Sequence, residues 1–371
     1  MKIFVIGTRG IPDIPGGVET HCQELYPRIV AAGHEVTIAT RSLYVQKRRK
    51  NWRGVSLKHI FTPRRKNLET LFHTFLATII AKHSKPDLIH VHGIGPGLLV
   101  PFMKLLGMKI VMTNHGPDYH RDKWGPFAKN ILILGEYWGG KYADEVIVIS
   151  SIIGNIIKKR CGRESNLIYN GVTIPQKTAK TNLLKKHGIS PGKYILTVAR
   201  LVPEKGLHDL IEAFTKISGN YQLVIAGGAD HETRYSRELK TKAAADKRII
   251  MTGYISGEYL VQVFSHARCF VLPSYHEGLP IALLEALSYN IMPLVSDIPA
   301  HQEIPLPENC YFSCGDVAHL HNQLQKMLNS DVHKQNLIDY HAIVTEKYNW
   351  DIIARETIAV YEKIKRANLY R

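Results

Sequence analysis

Short apolar runs alternate with amphipathic stretches along the whole chain. The runs "KIFVIG" (2–7), "EVTIAT" (35–40), "VSLKHI" (55–60), "DLIHVHG" (87–93), "KIVMTN" (109–114), "EVIVIS" (145–150) and "NLIYNG" (166–171) form a first series of predicted strands. A second series comprises "YILTVAR" (194–200), "YQLVIAGG" (221–228), "RIIMTG" (248–253), "CFVLPS" (269–274), "IMPLVS" (291–296) and "NCYFS" (309–313). Strands of this length separated by helical patterns predict parallel sheets with crossover helices. Between the series lies "VTIPQKTAKTNLLKKHGISPGK" (172–193), the one stretch whose threonines, prolines and glycines read as a linker. Apolar residues at 352, 353, 358, 360, 361 and 364 mark a last helical stripe. The expected fold class is therefore α/β, with two Rossmann-like doubly wound parallel-sheet domains. The expected boundaries are a first domain at 1–173, a linker at 174–192, a second domain at 193–348 and a terminal helix at 349–371.

The length of 371 residues agrees with two cores. The opening apolar run is too short for a signal peptide, and Arg9 follows it. Residues 94–113 form the best membrane-span candidate, but Lys104, Lys109 and several Pro and Gly interrupt it, so a buried helix followed by a strand is expected. Five scattered cysteines suit reduced thiols and a cytoplasmic setting. Cys310 and Cys314 lack further ligands at zinc-finger spacing and are expected to be buried thiols.

Charge is unevenly placed. Of the net +16, residues 1–175 carry +13. Residues 41–66 hold ten basic residues, no acidic one and several interleaved aromatics. Arg48, Arg49, Lys50, Trp52 and Arg53 are the candidate contacts of this stretch with an acceptor or with the anionic inner face of a membrane. A solvated loop is the plain alternative. Nucleic acid would satisfy the same charges, but would leave the motifs below unexplained.

Three stretches carry candidate chemistry. "TRGIPDIPGGVETHCQEL" (8–25) resembles a phosphate loop, yet its glycines at 7, 10, 16 and 17 fit neither G-x-G-x-x-G nor the P-loop pattern. What remains is the pair Gly16 and Gly17 just before a helix, where backbone can approach a phosphate or sugar. "ARLVPEKGLHDLIEAF" (199–214) places Arg200 at a strand end and Lys205 just before a helix, two cations within reach of one diphosphate. "HEGLPIALLEAL" (276–287) sets Glu277 in a loop and Glu285 about a turn and a half inside a helix. A carboxylate in so apolar a run needs hydrogen-bond donors, which sugar or ribose hydroxyls supply.

With "GGVET" (16–20), "NHG" (114–116), "YNGV" (169–172), "ARLVPEKG" (199–206), "YHEGLPIALLEAL" (275–287) and "SDIPAHQEI" (296–304), the chain resembles glycosyltransferase family 4, the retaining nucleotide-sugar transferases of GT-B fold. The opening "GTRGIP…GGVET" is similar to a rhamnosyltransferase-like subgroup of bacterial surface-polysaccharide enzymes. The resemblance implies two domains facing each other across a cleft, with the last helix crossing back to the first. It implies that Arg200 and Lys205 hold the donor diphosphate, that Glu277 with the backbone of Gly278 and Leu279 meets the donor sugar, and that Glu285 holds the ribose. Gly16 and Gly17 would close on the diphosphate, and His115 would reach the sugar.

No D-x-D is present, so no metal and no other cofactor is expected. The donor is expected to be a UDP-, GDP- or dTDP-sugar, and the acceptor a glycan or a polyprenyl-diphosphate-linked oligosaccharide. The resemblance further implies retention, through same-face displacement in which the leaving phosphate helps deprotonate the acceptor. Two rivals within enzymes fall short: an epimerase would need acidic groups that cannot be placed, and a phosphorylase would need a pyridoxal-phosphate lysine motif. A soluble small-molecule acceptor remains the alternative to a lipid-linked one.

Overall fold

Largely apolar strands buried on both faces need helices on both sides, and the computed structural model builds two such sheets. It describes residues 1–45, 49–63, 69–120, 124–229, 232–330 and 339–367. The chain divides into one unit of Met1–Gly171 with Trp350–Arg371, and a second of Val172–Asn349.

The first unit has β1 (Lys2–Ile6), β2 (Glu35–Arg41), β3 (Asn51–Trp52), β4 (Val55–Ile60), β5 (Leu88–His92), β6 (Ile110–Asn114), β7 (Glu145–Val148) and β8 (Asn166–Leu167), in the order 3-4-2-1-5-6-7-8. All pairings are parallel except β3–β4. This short hairpin, whose β3 is absent from the predicted strands while β4 matches "VSLKHI", turns through Arg53 and Gly54, whose positive φ values of 45° and 81° are those of a tight two-residue turn. The helices are α1 (Gly17–Ala31), α2 (Glu69–Ser84), α3 (Ile94–Gly97), α4 (Val100–Leu105), α5 (Pro126–Tyr142), α6 (Ser151–Cys161) and the last helix, Trp350–Ala367. Right-handed crossovers put α1 on one face of the sheet and α2 to α6 on the other, because the chain reverses direction across the sheet at β1. The last helix packs with α1, and its Trp350, Ile353, Val360, Tyr361 and Ile364 join Ile3, Val5, Leu25, Tyr26 and Ile38 in one core.

The second unit has β9 (Tyr194–Val198), β10 (Gln222–Ala226), β11 (Ile249–Gly253), β12 (Cys269–Leu272), β13 (Pro293–Ser296) and β14 (Tyr311–Phe312), all parallel in the order 11-10-9-12-13-14. Its first five helices are α7 (Asn182–Lys186), α8 (Leu207–Thr215), α9 (Arg234–Ala244), α10 (Gly257–Ser265) and α11 (Ile281–Ser288).

Two expectations need correction. The stretch 174–192 is no free linker but packs on the second unit: the Thr178 N–H donates to Ser265 Oγ, the Leu183 N–H to Gln262 Oε1, and Leu184 is fully buried. Side chains of α10 thus satisfy backbone that composition alone reads as solvated. Residues 94–113 likewise form two short helices and a strand, and Leu105 is 86% exposed instead of buried. The five cysteines are free thiols, Cys310 buried and Cys314 half-buried. Among the described residues, no helix is long and apolar enough to cross a membrane.

Candidate functional site

In each sheet the chain reverses direction at one point, between β1 and β5 and between β9 and β12. Loops at the carboxyl ends of strands flanking such a point form the ordinary ligand crevice of open α/β sheets. The candidate residues gather at these two places.

In the second unit Arg200 and Lys205 follow β9, and Glu277, Gly278 and Leu279 follow β12, its neighbour in the sheet. The loop after β9 can lie against β12 only because residue 206 is a glycine. Gly206 has φ +61°, and a Cβ there would stand 2.0 Å from the Pro273 carbonyl oxygen. Gly206→Ala is therefore expected to destabilise the second unit by about 2–4 kcal/mol, from left-handed strain plus overpacking. It should also displace Lys205. A denaturant midpoint equal to that of the parent would refute this.

The juxtaposition brings Lys205 Nζ onto Glu277 Oε1 as an ion pair whose side chains are only 16% and 10% exposed. Ser274 Oγ donates to the same oxygen at 2.7 Å. Burial pushes the Glu277 carboxyl up, but the charge of Lys205, then that of His301, and the hydrogen bonds from Lys205 and Ser274 outweigh it and hold the group below its ordinary value. His301 is itself buried, which lowers its pKa to about 4. Its Nδ1–H donates to the Ser296 carbonyl at 2.7 Å, leaving Nε2 as an acceptor with no partner among the described residues. Glu285 lies on α11, half-buried and in the second turn, where the sequence places it. Ser274 and His301 are additions to the predicted set. The sequence signal for Ser274 is a hydroxyl three residues before the glutamate.

In the first unit the glycine turn is braced from behind. Gly16 has φ +145°, and a Cβ there would strike Glu19 Oε2 at 2.1 Å and Arg9 Nη2 at 2.5 Å. Arg9 pairs with Glu19 at 3.2 Å, donates its backbone N–H to Glu19 Oε1 at 3.0 Å, and bonds the Pro15 carbonyl. Gly17, in contrast, faces open space and begins α1. The strand-end arginine and the fourth residue of "GGVET" thus build the turn, roles that no local pattern discloses.

His115 follows β6 in a loop fixed by its neighbours. Asn114 Oδ1 accepts from the Gly116 N–H at 2.9 Å, and Asn114 Nδ2 donates to Glu136 Oε1 at 2.9 Å. Glu136 is fully buried and pairs with Arg160. His115 Nε2 and His92 Nδ1 share one hydrogen bond at 2.9 Å. The row continues from His92 Nε2 to the Tyr26 hydroxyl, then to His90 Nδ1 at 3.0 Å, and from His90 Nε2 to Thr113 Oγ1 at 2.7 Å. Tyr361 of the last helix joins at His90 Nδ1, 2.6 Å away. Burial lowers His90 to about 3 and His21 to about 4, and pushes His92 and His115 well below their ordinary value. All four rings are neutral at pH 7. The sequence did hold a signal, since two histidines at i and i+2 in a strand share one face.

The nitrogens of His21, His92 and His115 also lie within 4.8 Å of one another, a group that could hold a metal ion.

The remaining candidates are not brought together with these. Arg48 lies outside the described residues, while Arg49 and Lys50 are exposed. Trp52 is half-buried on the hairpin, with the Arg53 guanidinium 4.8 Å over its ring.

Residues 15–175 match the model of Glycosyltransferase Family 4, and residues 179–343 that of Glycosyl transferases group 1. An uncharacterised glycosyltransferase of Methanocaldococcus jannaschii is 26% identical, with 98% of each chain covered. The serotype-specific mannosyltransferase WbdA of Escherichia coli is 23% identical over 61% of this chain and 27% of its own length. Among solved structures, sucrose-phosphate synthase of Thermosynechococcus elongatus superimposes with a TM-score of 0.87 at 21% identity, covering 99% of both chains. Anabaena HepE in complex with UDP-glucose does so with a TM-score of 0.81 at 16% identity, covering 98% of this chain and 99% of its own. With both sheets, their order and both family models in agreement, the chain is a glycosyltransferase of GT-B fold and belongs to glycosyltransferase family 4.

Proposed function

We propose that the protein transfers a hexose or deoxyhexose, with retention, from a nucleoside-diphosphate sugar to a hydroxyl of a glycan or polyprenyl-diphosphate-linked acceptor in surface-polysaccharide synthesis. One observation carries the reading: a buried Lys205–Glu277 pair, with Arg200 on the same loop as Lys205, at the reversal point of the second sheet. The cations face a diphosphate, whose departure needs charge stabilisation. Glu277, kept ionised, accepts from sugar hydroxyls near Gly278 and Leu279, and Glu285 accepts from the ribose. Gly16, Gly17 and His115 of the first unit are assigned to donor binding as well. The bond from the anomeric carbon to the phosphate oxygen breaks as a bond to the acceptor oxygen forms on the same face, and the acceptor proton passes to the leaving phosphate.

Support for the donor class comes from HepE with its UDP-glucose, and for hexose transfer from WbdA, a mannosyltransferase by name. The test is hydrolysis of a panel of UDP-, GDP- and dTDP-sugars with EDTA present. Turnover of one donor, unchanged by EDTA and lost in Glu277→Ala, is expected. Loss of activity with EDTA would refute metal independence, and product NMR showing the inverted anomer would refute retention. A chain that neither turns over a donor nor binds UDP, GDP or dTDP would overturn the reading.

A further inference from the structure

Helices α2 and α5 are built inside out. The side of α2 that meets the sheet holds His73, Thr74, Ala77, Thr78 and Ala81, while Phe72 and Phe75 point outward, 40% and 45% exposed. On α5 the buried side is Gly135, Glu136, Gly139 and Gly140, whereas Leu134 and Tyr137 are exposed. Ordinary surface helices do the reverse. Of the twelve exposed large apolar side chains among the described residues, seven lie on α2, α4 and α5. Leu105 and Phe127 are the extremes, at 86% and 80%. Single exposed apolar residues need no explanation, but a contiguous set marks an interaction surface. Between α2 and α3 the set sinks into a groove of about 530 Å³ lined by Pro63, Leu71, Phe72, Phe75, Leu98 and Leu99, with Phe75 stacked on Phe102.

Charge selects the occupant. The only carboxylates on α2, α4 and α5 are Glu69 and Glu136, both buried and paired, with Arg41 and Arg160. Lys82, Lys129 and Lys141 on α2 and α5 have no such counter-charge on their own helices, and residues 1–175 carry a net +13. Two copies of such a face would repel each other, whereas an anionic surface with an apolar interior matches both properties. We infer that α2, α4 and α5 form a monotopic docking face that inserts Phe72, Phe75, Leu105 and Phe127 into an anionic lipid bilayer.

This moves the membrane contact away from the residues that the sequence suggests. The Trp52–Arg53 hairpin rests on the other side of the sheet, where a Cβ at Gly54 would touch Val30 of α1. The inference deepens the proposed function, since it names where a lipid-linked acceptor is met, but it does not depend on any donor.

The test is co-sedimentation of the full chain with vesicles of phosphatidylcholine alone or mixed with phosphatidylglycerol. Binding to the anionic vesicles is expected, with about a tenfold or larger loss of partitioning in Phe72→Ser/Phe75→Ser and a comparable loss in Leu105→Ser/Phe127→Ser. The second pair is so exposed that its removal leaves folding intact, which an unchanged melting curve verifies. Both variants should hydrolyse a soluble donor at the parental rate. Parental vesicle binding by both variants would overturn the inference. So would a dimer in light scattering that the same substitutions dissolve, without vesicle binding. Vesicle binding by a chain that turns over no donor would instead overturn the transferase reading and leave this face standing.

Discussion

Lys205→Met is expected to lower sugar transfer by about 10²–10³-fold and to destabilise the second unit by about 3–5 kcal/mol, the larger cost arising from the charge it strands. The methionine retains the stem, so the loss reports the ammonium and not a cavity. In the parent, the Glu277 carboxyl lies below its ordinary value. Its contribution is thus complete above the unfolded value of about 4.3, and is lost as pH falls through the lower folded value. Without Lys205, burial becomes the dominant influence and pushes the carboxyl up. The sign then reverses: the variant gains stability on acidification, as the stranded carboxylate takes up a proton. Denaturant unfolding between pH 4 and pH 8 should show this contribution nearly flat in the parent and rising toward acid in the variant. Glu277→Gln, which keeps the acceptor for Ser274 Oγ, should match the activity loss with a smaller stability loss. Parallel pH profiles in parent and Lys205→Met would refute the account.

His115→Ala is expected to lower turnover by about 10²-fold, and His92→Ala by about tenfold, the second through loss of the partner that holds the His115 ring. Asparagine at 92 offers an amide where His92 Nδ1 sits, so His92→Asn should recover most of that loss. A packing role for the ring would not be rescued this way. Tyr26→Phe removes the next hydroxyl in the row while keeping the aromatic face. If the row sets the His115 tautomer, ¹⁵N NMR of the imidazole should show a changed Nδ1/Nε2 proton distribution in Tyr26→Phe, with turnover following it. An unchanged distribution would reduce the row to packing. Because burial keeps these rings neutral, turnover should show no limb near pH 6.5 that belongs to His115. Their depressed folded values also mean that stability is complete above about pH 6.5 and falls as acid drives the unfolded chain to bind protons first. His21 and His90, held near 4 and 3, extend that loss well into the acid range.

The sheets were legible because the buried strands spell themselves as short, largely apolar runs set between turn residues and helical patterns. The positions of Arg200, Lys205, Glu277 and Glu285 in the fold were legible for a related reason: each lies in the loop after a strand or in the helix that follows it. Three features were not. Apolar periodicity marks a stripe on a helix, but the side facing the sheet is set by neighbours, as when Gly135 of α5 must accommodate the backbone of Ile94. The row from His115 to Thr113 depends on Tyr26 and Tyr361, partners 89 and 246 positions from His115 in sequence. The packed segment 174–192 owes its place to side chains of α10, which composition cannot signal.

The last helix has a consequence for synthesis. Trp350, Tyr361 and Ile364 fill the core under β1, and Gly171 lies so close that a Cβ there would meet the Trp350 ring at 2.5 Å. A chain emerging from the ribosome therefore holds a first unit that lacks part of its interior until the whole of Val172–Asn349 has been made. At about 5–20 residues per second that interval is on the order of ten seconds or more. The second unit, continuous in sequence and closed on itself where the Val172 N–H meets the Tyr348 carbonyl at 2.6 Å, has no such wait. Of the two units, the one whose strands are made first is the one completed last.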